Sequence, residues 1–114
     1  MANTSYYEWV YEVTKQIPKG RVSTYGYIAD YLALGSARMV GWALAQSASE
    51  QDIPAHRVVN HKGELSGRHH FRPPEKMQQL LELEGLIIID DKVADFKSFV
   101  WVPANELDQA DADL

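Results

Sequence analysis

The sequence predicts an α+β domain that is mostly helical, with a helix-turn-helix core and a small C-terminal β-hairpin. Apolar residues recur at helical spacing over residues 6–16, 25–32 and 37–48. Only a short turn with Gly35 separates the second and third segments, which is the arrangement of a helix-turn-helix. Near the C-terminus, an apolar run over 86–89, an acidic turn and a second apolar stretch over 99–102 predict the hairpin.

The first helix is expected over residues 6–16. Ser5 and Glu8 have the spacing of a capping box, in which the two side chains satisfy free N–H groups at a helix start. The inner face then carries Tyr7, Val10, Tyr11 and Thr14. Pro18 and Gly20 end the helix.

The second helix is expected to begin after Ser23 or Thr24, either of which is a good cap. Its inner face carries Tyr25, Ile28, Ala29 and Leu32. Gly35 is expected to end it, and Ser36 to cap a third helix over about 37–48.

The outer face of the third helix is unusual. One face holds Val40, Ala43, Leu44 and Ser47, and the opposite face holds Arg38, Gly41, Trp42, Ala45 and Gln46. A glycine inside a helix costs about 1 kcal/mol relative to alanine, so Gly41 needs a reason. Small residues beside an arginine allow close approach to a flat or grooved partner. The alternative is that Trp42 packs within the domain and Gly41 relieves a crowded helix crossing.

The remaining chain predicts an ordered loop with short strands and a fourth helix. Residues 49–72 lack helical periodicity, with a strand at Val58-Val59 and a turn over 60–63. Pro73-Pro74 begins a helix that carries Met77, Leu80 and Leu81 and ends at Gly85. Residues 1–103 are therefore interpreted as one domain, and the acidic residues 104–114 as a disordered tail.

Composition excludes several classes of protein. The chain has 114 residues, 46% of them hydrophobic, and no cysteine. Disulfides, zinc-thiolate sites and cysteine nucleophiles are thereby excluded. No apolar run approaches the ~20 residues of a membrane span, and no signal peptide opens the chain. We expect a cytoplasmic protein, associated with the nucleoid if the source is bacterial.

The net charge of −5 hides an uneven distribution. Residues 15–72 carry eight bases and four acids, whereas residues 73–114 carry three bases and ten acids. A basic middle segment is typical of a local site for a polyanion, and ordinary surface charge gives the same pattern.

The four histidines are candidates for acid–base groups and for metal ligands. His56 lies in an apolar stretch, so it needs a partner, and Glu84 is the most suitable acid. His61 is expected in a turn, and His69 and His70 in a basic loop with Arg68 and Arg72. No histidine pair has helical ligand spacing and no cysteine assists, so neither a metal nor a cofactor is expected. The serine in Gly63-Glu64-Leu65-Ser66-Gly67 is misplaced for a nucleophile elbow.

Five ordered blocks resemble the DNA-binding and active-site domain of the O6-alkylguanine-DNA alkyltransferases, in a match that covers about residues 7–102. They are Ile17-Pro18-x-Gly20-x-Val22-x-Thr24-Tyr25-Gly26-x-Ile28-Ala29, Ala37-Arg38-x-Val40-Gly41-x-Ala43, Pro54-Ala55-His56-Arg57-Val58, Gly63-x-Leu65-Ser66-Gly67 and Leu80-Leu81-x-x-Glu84-Gly85. The resemblance implies a winged helix-turn-helix-like domain with an active-site loop. Where the transferases have the alkyl-accepting cysteine, this chain has Ala55. It therefore resembles the alkyltransferase-like, non-enzymatic branch, in which tryptophan often stands at that place.

The resemblance also implies residue roles. Tyr25 would press on the 3′ phosphate and help to rotate a nucleotide outward, and Arg38 would fill the vacancy in the base stack. Gly41, Trp42 and Ala45 would lie along the minor groove, where sequence is read poorly.

Tyr25, Ala55, Val58 and Arg68 would form the lesion pocket, with the guanidinium on the flipped base. His56 and Glu84 would be a relic of the relay that activates the thiol. Ser47 replaces an asparagine that braces the turn. The resemblance assigns no role to His69, His70 or Arg72 in DNA contact.

The expected function is recognition of O6-alkylguanine in double-stranded DNA by nucleotide flipping, as a monomer, with hand-over to nucleotide excision repair proteins. Two alternatives stay open. One is a sequence-specific helix-turn-helix regulator, which needs base-reading polar side chains on the third helix. The other is a hydrolase that reuses His56 and Glu84, with Ser66 or water as nucleophile.

Overall fold

The computed structural model describes residues 5–47 and 52–112, and the side chains of 6–47 and 52–107. Two 3₁₀ turns, Ala55–Arg57 and Arg68–His70, interrupt the central loop. The described elements in chain order are α1 (Ser5–Gln16), β1 (Ser23–Thr24), α2 (Tyr25–Tyr31), α3 (Ala37–Gln46), β2 (Val58–Val59), α4 (Glu75–Leu83), β3 (Ile88–Ile89), β4 (Lys92–Val93), α5 (Phe96–Phe99) and α6 (Pro103–Ala112). The prediction of a mostly helical α+β fold is confirmed. Within the described ranges, no helix has the length and apolar character needed to cross a membrane.

The first three helices pack together around one hydrophobic cluster, which is the predicted helix-turn-helix core. Their buried side chains are joined by Ile53, Val58 and Trp101 from outside the helices. Two tyrosines of α1 fix it to α3, since Tyr6 Oη donates to Met39 O at 3.0 Å and Tyr11 Oη donates to Ala43 O at 2.8 Å.

The helix ends follow local capping chemistry. Thr24 caps α2, because its Oγ1 accepts from Tyr27 N at 3.0 Å. This helix ends at Tyr31, earlier than the predicted stop at Gly35, because Ala33 adopts a φ of 56° and Leu34 N bonds to Ala29 O at 2.9 Å. The structure ends α3 at Gln46, and residue 48 of its predicted span lies outside the described residues, as does the side chain of Ser5.

A short parallel strand pair joins the two halves of the domain. Ser23 pairs with Val58 and Thr24 pairs with Val59. Because successive residues of a strand point to opposite sides, Val58 enters the first cluster and Val59 enters a second. The second cluster holds Val22, Val59, Leu65, Met77, Leu81, Leu86, Ile88 and Val93. The turn predicted over 60–63 is present, with Gly63 N bonded to Asn60 O at 2.9 Å.

The C-terminal hairpin has a different partner strand from the one predicted. Ile88–Ile89 pairs antiparallel with Lys92–Val93, across a two-residue turn in which Asp90 and Asp91 have φ values of 53° and 60°. The stretch 99–102 instead returns to the centre of the fold, where Trp101 N donates to Val22 O at 2.6 Å. The reason is burial, since the Trp101 side chain lies in the first cluster.

The segment predicted as a disordered acidic tail is helical up to Ala112. Pro103 stands in the first turn of α6, where its missing N–H costs nothing. The backbone N–H groups of Asn105 and Glu106 bond to Val102 O. Leu107 packs against the first cluster, so one apolar contact anchors a segment whose composition is otherwise polar.

Candidate functional site

The outer face of α3 is open to solvent. Trp42 is 54% exposed, so it does not pack within the domain. A Cβ built at Gly41 meets no atom within 4 Å outside its own helix. Gly41 therefore relieves no crowded crossing, and that alternative is wrong. Glycine lowers the stability of a helix, and no contact within the domain requires a glycine at position 41.

A cavity of about 430 Å³ lies beneath this face, between α3 and the segment 66–71. Its volume is in the range of small-molecule sites. Ala55 lines it, and the N-terminus of α2 lies at its edge through Tyr25. The full lining is Tyr25, Ala37, Arg38, Gly41, Trp42, Leu44, Ala45, Ala55, Ser66, Gly67, His70 and Phe71.

Tyr25 is held in place by the segment on the other side of the cavity. Burial raises the pKa of its phenol, against a smaller opposite effect of a hydrogen bond with Ser66, so the hydroxyl is neutral at pH 7. A Cβ at Gly67 would lie 2.5 Å from Tyr25 Oη. The missing side chain at Gly67 thus makes room for the hydroxyl of Tyr25.

Arg38 is exposed on the first turn of α3 and lines the cavity. Among the described residues, no carboxylate or carbonyl partner binds its guanidinium. Other arginines of the basic middle segment are committed to the fold. Arg21 donates from Nε to Phe99 O at 3.1 Å and from Nη2 to Val100 O at 2.7 Å. Only part of the basic segment is therefore available to a ligand.

Two predicted pocket residues do not line this cavity. Val58 has no exposed surface, because strand alternation turns it into the first hydrophobic cluster. Arg68 points elsewhere: its Nη1 donates to Leu65 O at 3.0 Å, and its Nε lies 3.8 Å from Asp91 Oδ2. Ser47 does not reach the 55–57 turn by a hydrogen bond, since its Oγ donates to Leu44 O at 2.7 Å.

Six residues that line the cavity were not predicted as part of the site: Ala37 and Leu44 of α3, and four from the segment 66–71. Ser66, Gly67, His70 and Phe71 line the cavity. The 3₁₀ turn Arg68–His70 within this segment is too short to leave a periodic signal in the sequence. The turn itself was not predicted.

Glu84 joins the end of α4 to two other parts of the fold. Its carboxylate accepts from Gly20 N at 2.9 Å, from His56 Nε2 at 2.7 Å and from Arg57 Nη2 at 2.9 Å. Arg57 Nη1 also donates to Ile17 O at 2.9 Å. The predicted pairing of His56 with Glu84 is therefore present, and it is one part of a larger network.

This network sets the protonation of both groups. Burial raises the pKa of Glu84, but hydrogen bonds from Arg57, His56 and Gly20 outweigh burial and lower the pKa to about 2. Burial lowers the pKa of His56, although Glu84 acts in the opposite direction. At pH 7 the pair is a neutral imidazole beside a carboxylate.

The site offers little for covalent chemistry. The methyl group of Ala55 precedes His56, so the pair has no adjacent nucleophile to activate. Ser66 lines the cavity under α3, whereas His56 lines a different one, so a serine–histidine arrangement is not assembled. Over the described ranges, no cluster of three potential ligands is able to hold a metal ion.

Comparison with known proteins gives consistent matches. The family model of the 6-O-methylguanine DNA methyltransferase DNA-binding domain matches residues 5–86. Alkyltransferase-like protein 1 of Schizosaccharomyces pombe is 35% identical over 108 residues, which cover 90% of this chain and 100% of that protein. A DNA base-flipping protein of Vibrio parahaemolyticus is 36% identical over 95 residues, or 82% of this chain and 93% of that protein. The crystal structure of S. pombe Atl1 with DNA containing O6-carboxymethylguanine aligns with a TM-score of 0.77 at 33% identity, over 89% of this chain and 96% of that chain.

The Glu84→Gln variant should be less stable than the wild type by about 3 kcal/mol at pH 7, because it leaves the Arg57 charge buried without its partner. The pKa of Glu84 is lowered in the folded state, so its contribution is complete above the ordinary value of 4.5 and disappears as the pH falls toward 2. Urea denaturation at pH 7 and near pH 3 measures both effects. The difference between the two proteins should shrink in acid.

Glu82→Gln is the control, since Glu82 is exposed on the same helix and its side chain bonds only to Gln78 in the described part. A constant difference between Glu84→Gln and the wild type at both pH values would contradict the assignment of the low pKa.

Proposed function

The chain belongs to the family of the 6-O-methylguanine DNA methyltransferase DNA-binding domain, and we propose that it recognises O6-alkylguanine in duplex DNA without removing the alkyl group. The observation that carries this proposal is the cavity under α3, which is lined by a methyl group at Ala55 in a chain without cysteine. A flipped base would occupy this cavity, and at the position of the alkyl-accepting thiol it would meet only the methyl group of Ala55.

The DNA would lie along the outer face of α3. Gly41 and Ala45 let the backbone of the helix approach the floor of the minor groove, and Trp42 supplies an exposed aromatic surface. Contacts of this kind read shape more than sequence, which suits a protein that must inspect any sequence for damage.

Flipping would depend on two side chains at the edge of the cavity. Tyr25 is neutral and fixed by Gly67 and Ser66, so it is suited to press on the phosphate beside the lesion. Arg38 has no protein partner in the described part of the chain and is free to enter the stack. An inserted guanidinium offsets part of the unstacking cost, which is a few kcal/mol.

Inside the cavity, the O6 substituent would point toward Ala55. Arg68 would contact the flipped base only after giving up Leu65 O and Asp91. That exchange costs little, because the pair with Asp91 is long and partly exposed.

Because the proposed protein does not transfer the alkyl group, repair would be completed by other proteins. We propose that it acts as a monomer without a cofactor and that nucleotide excision repair receives the bound lesion. No enzymatic activity is proposed.

The two alternatives are weaker on specific observations. A sequence-specific regulator needs several base-reading side chains on α3, and its outer face offers only Arg38 and Gln46 as polar groups. A hydrolase needs its nucleophile beside the base, and Ser66 and His56 line different cavities.

The main test compares two duplexes of identical sequence, one with a central O6-methylguanine and one with guanine. The protein should bind the damaged duplex at least about tenfold more tightly, and both affinities should fall as salt rises because phosphates are neutralised. Digestion of the bound DNA to nucleosides should recover all of the methylguanine. Equal binding to both duplexes, or methyl groups transferred to the protein, would refute the proposal.

Gly41→Ala should separate stability from binding. Its Cβ enters open space within a helix, so the free energy of unfolding should rise by about 0.5–1 kcal/mol. The same methyl group would stand between α3 and the minor groove, and binding to the lesion duplex should weaken by about tenfold, or ~1.4 kcal/mol.

Thermal unfolding and fluorescence anisotropy measure the two quantities of this prediction. Gln79→Ala, on the exposed side of α4, controls for a helix-stabilising change outside the interface. A stabilised Gly41→Ala variant with wild-type affinity would show that this face does not contact DNA.

Arg38→Ala and Arg68→Ala should impair DNA binding in different ways. Loss of Arg38 should weaken binding to damaged and undamaged duplexes alike, because its role does not depend on the lesion. Loss of Arg68 should erode the preference for alkylguanine, since one stacking or charged hydrogen-bonding contact contributes about 1–3 kcal/mol.

Both arginine variants are measured on both duplexes, with a fluorescent base analogue that reports flipping. Lys62→Ala removes one exposed charge outside this cavity and gives the baseline. If Arg68→Ala keeps the full lesion preference, or Arg38→Ala flips the base normally, the role given to that arginine is wrong.

A further inference from the structure

A second, larger cavity of about 920 Å³ adjoins the one under α3. The two cavities have five lining residues in common: Leu44, Ala45, Ala55, His70 and Phe71. Ala55 thus lies at their junction and contributes only a methyl group to it. In the proposed function the O6 substituent points at this residue, so the second cavity is the space that a longer substituent would enter.

The second cavity carries an excess of basic side chains. Its lining includes Lys15, Arg57, Arg72 and Lys76, together with three histidines, and Asp52 is its one acidic residue among those described. Two of these cations already have an ionic partner. Lys15 Nζ lies 3.7 Å from Asp52 Oδ2, and the guanidinium of Arg57 binds the carboxylate of Glu84. Arg72 and Lys76 form no ion pair with any described residue, so they remain available to an anion.

The position of Lys76 follows from α4. Lys76, Leu80 and Glu84 are spaced by four residues, which places them along one face of the helix and its cap. Glu84 is bonded to His56, next to Ala55, and Leu80 and Lys76 line the cavity. Eight residues at 1.5 Å each place Lys76 about 12 Å along the helix from Glu84. Lys76 therefore lies away from the Glu84–His56 pair, whereas Arg72 directly follows Phe71, which lines both cavities.

We propose that the second cavity is a subsite for the outer end of long O6 substituents that terminate in a negatively charged group. This inference rests on the proposed function and specifies its ligand class. The first carbons of the substituent pass Ala55 between Leu44 and Phe71, and the terminal carboxylate meets Arg72 and Lys76. A neutral chain of equal length fills the same space without this charge-assisted contact.

A DNA phosphate is the other source of negative charge for these two cations. The lining favours the substituent, because Arg38, Gly41 and Trp42, on the proposed DNA face, line only the first cavity. Ala45 is the one residue of that face that also lines the second cavity, and it carries no charge. The second cavity meets the first at Ala55, where the substituent points.

The experiment uses the full chain and four duplexes of one sequence, with guanine, O6-methylguanine, O6-butylguanine or O6-(3-carboxypropyl)guanine at the centre. The last two substituents have four carbons each and differ in charge. Wild-type protein should bind the carboxypropyl duplex about tenfold more tightly than the butyl duplex, as for one charge-assisted hydrogen bond. In the Arg72→Gln/Lys76→Gln double variant, this ratio should fall to about one.

Two further variants give the matched controls. The single variant Lys76→Arg keeps both positive charges, because Arg72 is unchanged. It should therefore keep most of the preference for the carboxypropyl duplex over the butyl duplex. Lys97→Gln removes an exposed lysine that lines neither of the two cavities and should keep the wild-type ratio.

The outcomes separate this inference from the proposed function. Equal binding of the butyl and carboxypropyl duplexes by the wild type overturns the subsite, even when methylguanine is preferred over guanine. A double variant that weakens on all four duplexes by the same factor also overturns it, because the cations then contact phosphate. Loss of the preference for methylguanine over guanine in the wild type would instead overturn the proposed function itself.

Discussion

The carboxylate of Glu84 is the constraint on which the rest of the site depends. It ends α4 and at the same time binds the backbone after α1, through Gly20, and the 55–57 turn, through His56 and Arg57. Three segments far apart in sequence are thereby fixed at one point. The position of Ala55 follows directly, since it is the neighbour of His56, and so do the floor of the first cavity and its junction with the second. The network thus acts as a scaffold for the site.

The basic residues of this acidic protein divide into two groups. Arg21 and Arg57 hold backbone carbonyls and the Glu84 carboxylate, and they are lost to any ligand. Arg38, Arg72 and Lys76 have no ionic partner in the described part of the chain, and each lines one of the two adjoining cavities. Total charge therefore says little about what the protein binds. What matters is which cationic side chains have no ionic partner within the protein, and only the folded structure reveals that.

Local patterns in the sequence predicted the helices and the buried faces well, because periodicity and capping are properties of neighbouring residues. The inner face of α3, the Thr24 cap and the His56–Glu84 pair are all present. The failures concern contacts that neighbours do not encode. Trp101 leaves the hairpin because a distant core takes it up, and Leu107 orders an acidic segment for the same reason. The motif position assigns Arg68 to the pocket, but its direction depends on contacts with Leu65 O and with Asp91, a residue distant in the sequence that no local pattern pairs with it.

Under the proposed function, Ala55 also determines how an encounter with DNA ends. A cysteine at this position forms a bond to the alkyl group, and the protein molecule is then spent. With alanine, protein and DNA separate unchanged, so one molecule is able to visit many sites in succession. The lifetime of each visit is then set by the dissociation rate, through which most differences in affinity between related complexes are expressed. Any side chain that slows departure from the cavity extends the time for which a damaged base is held outside the helix.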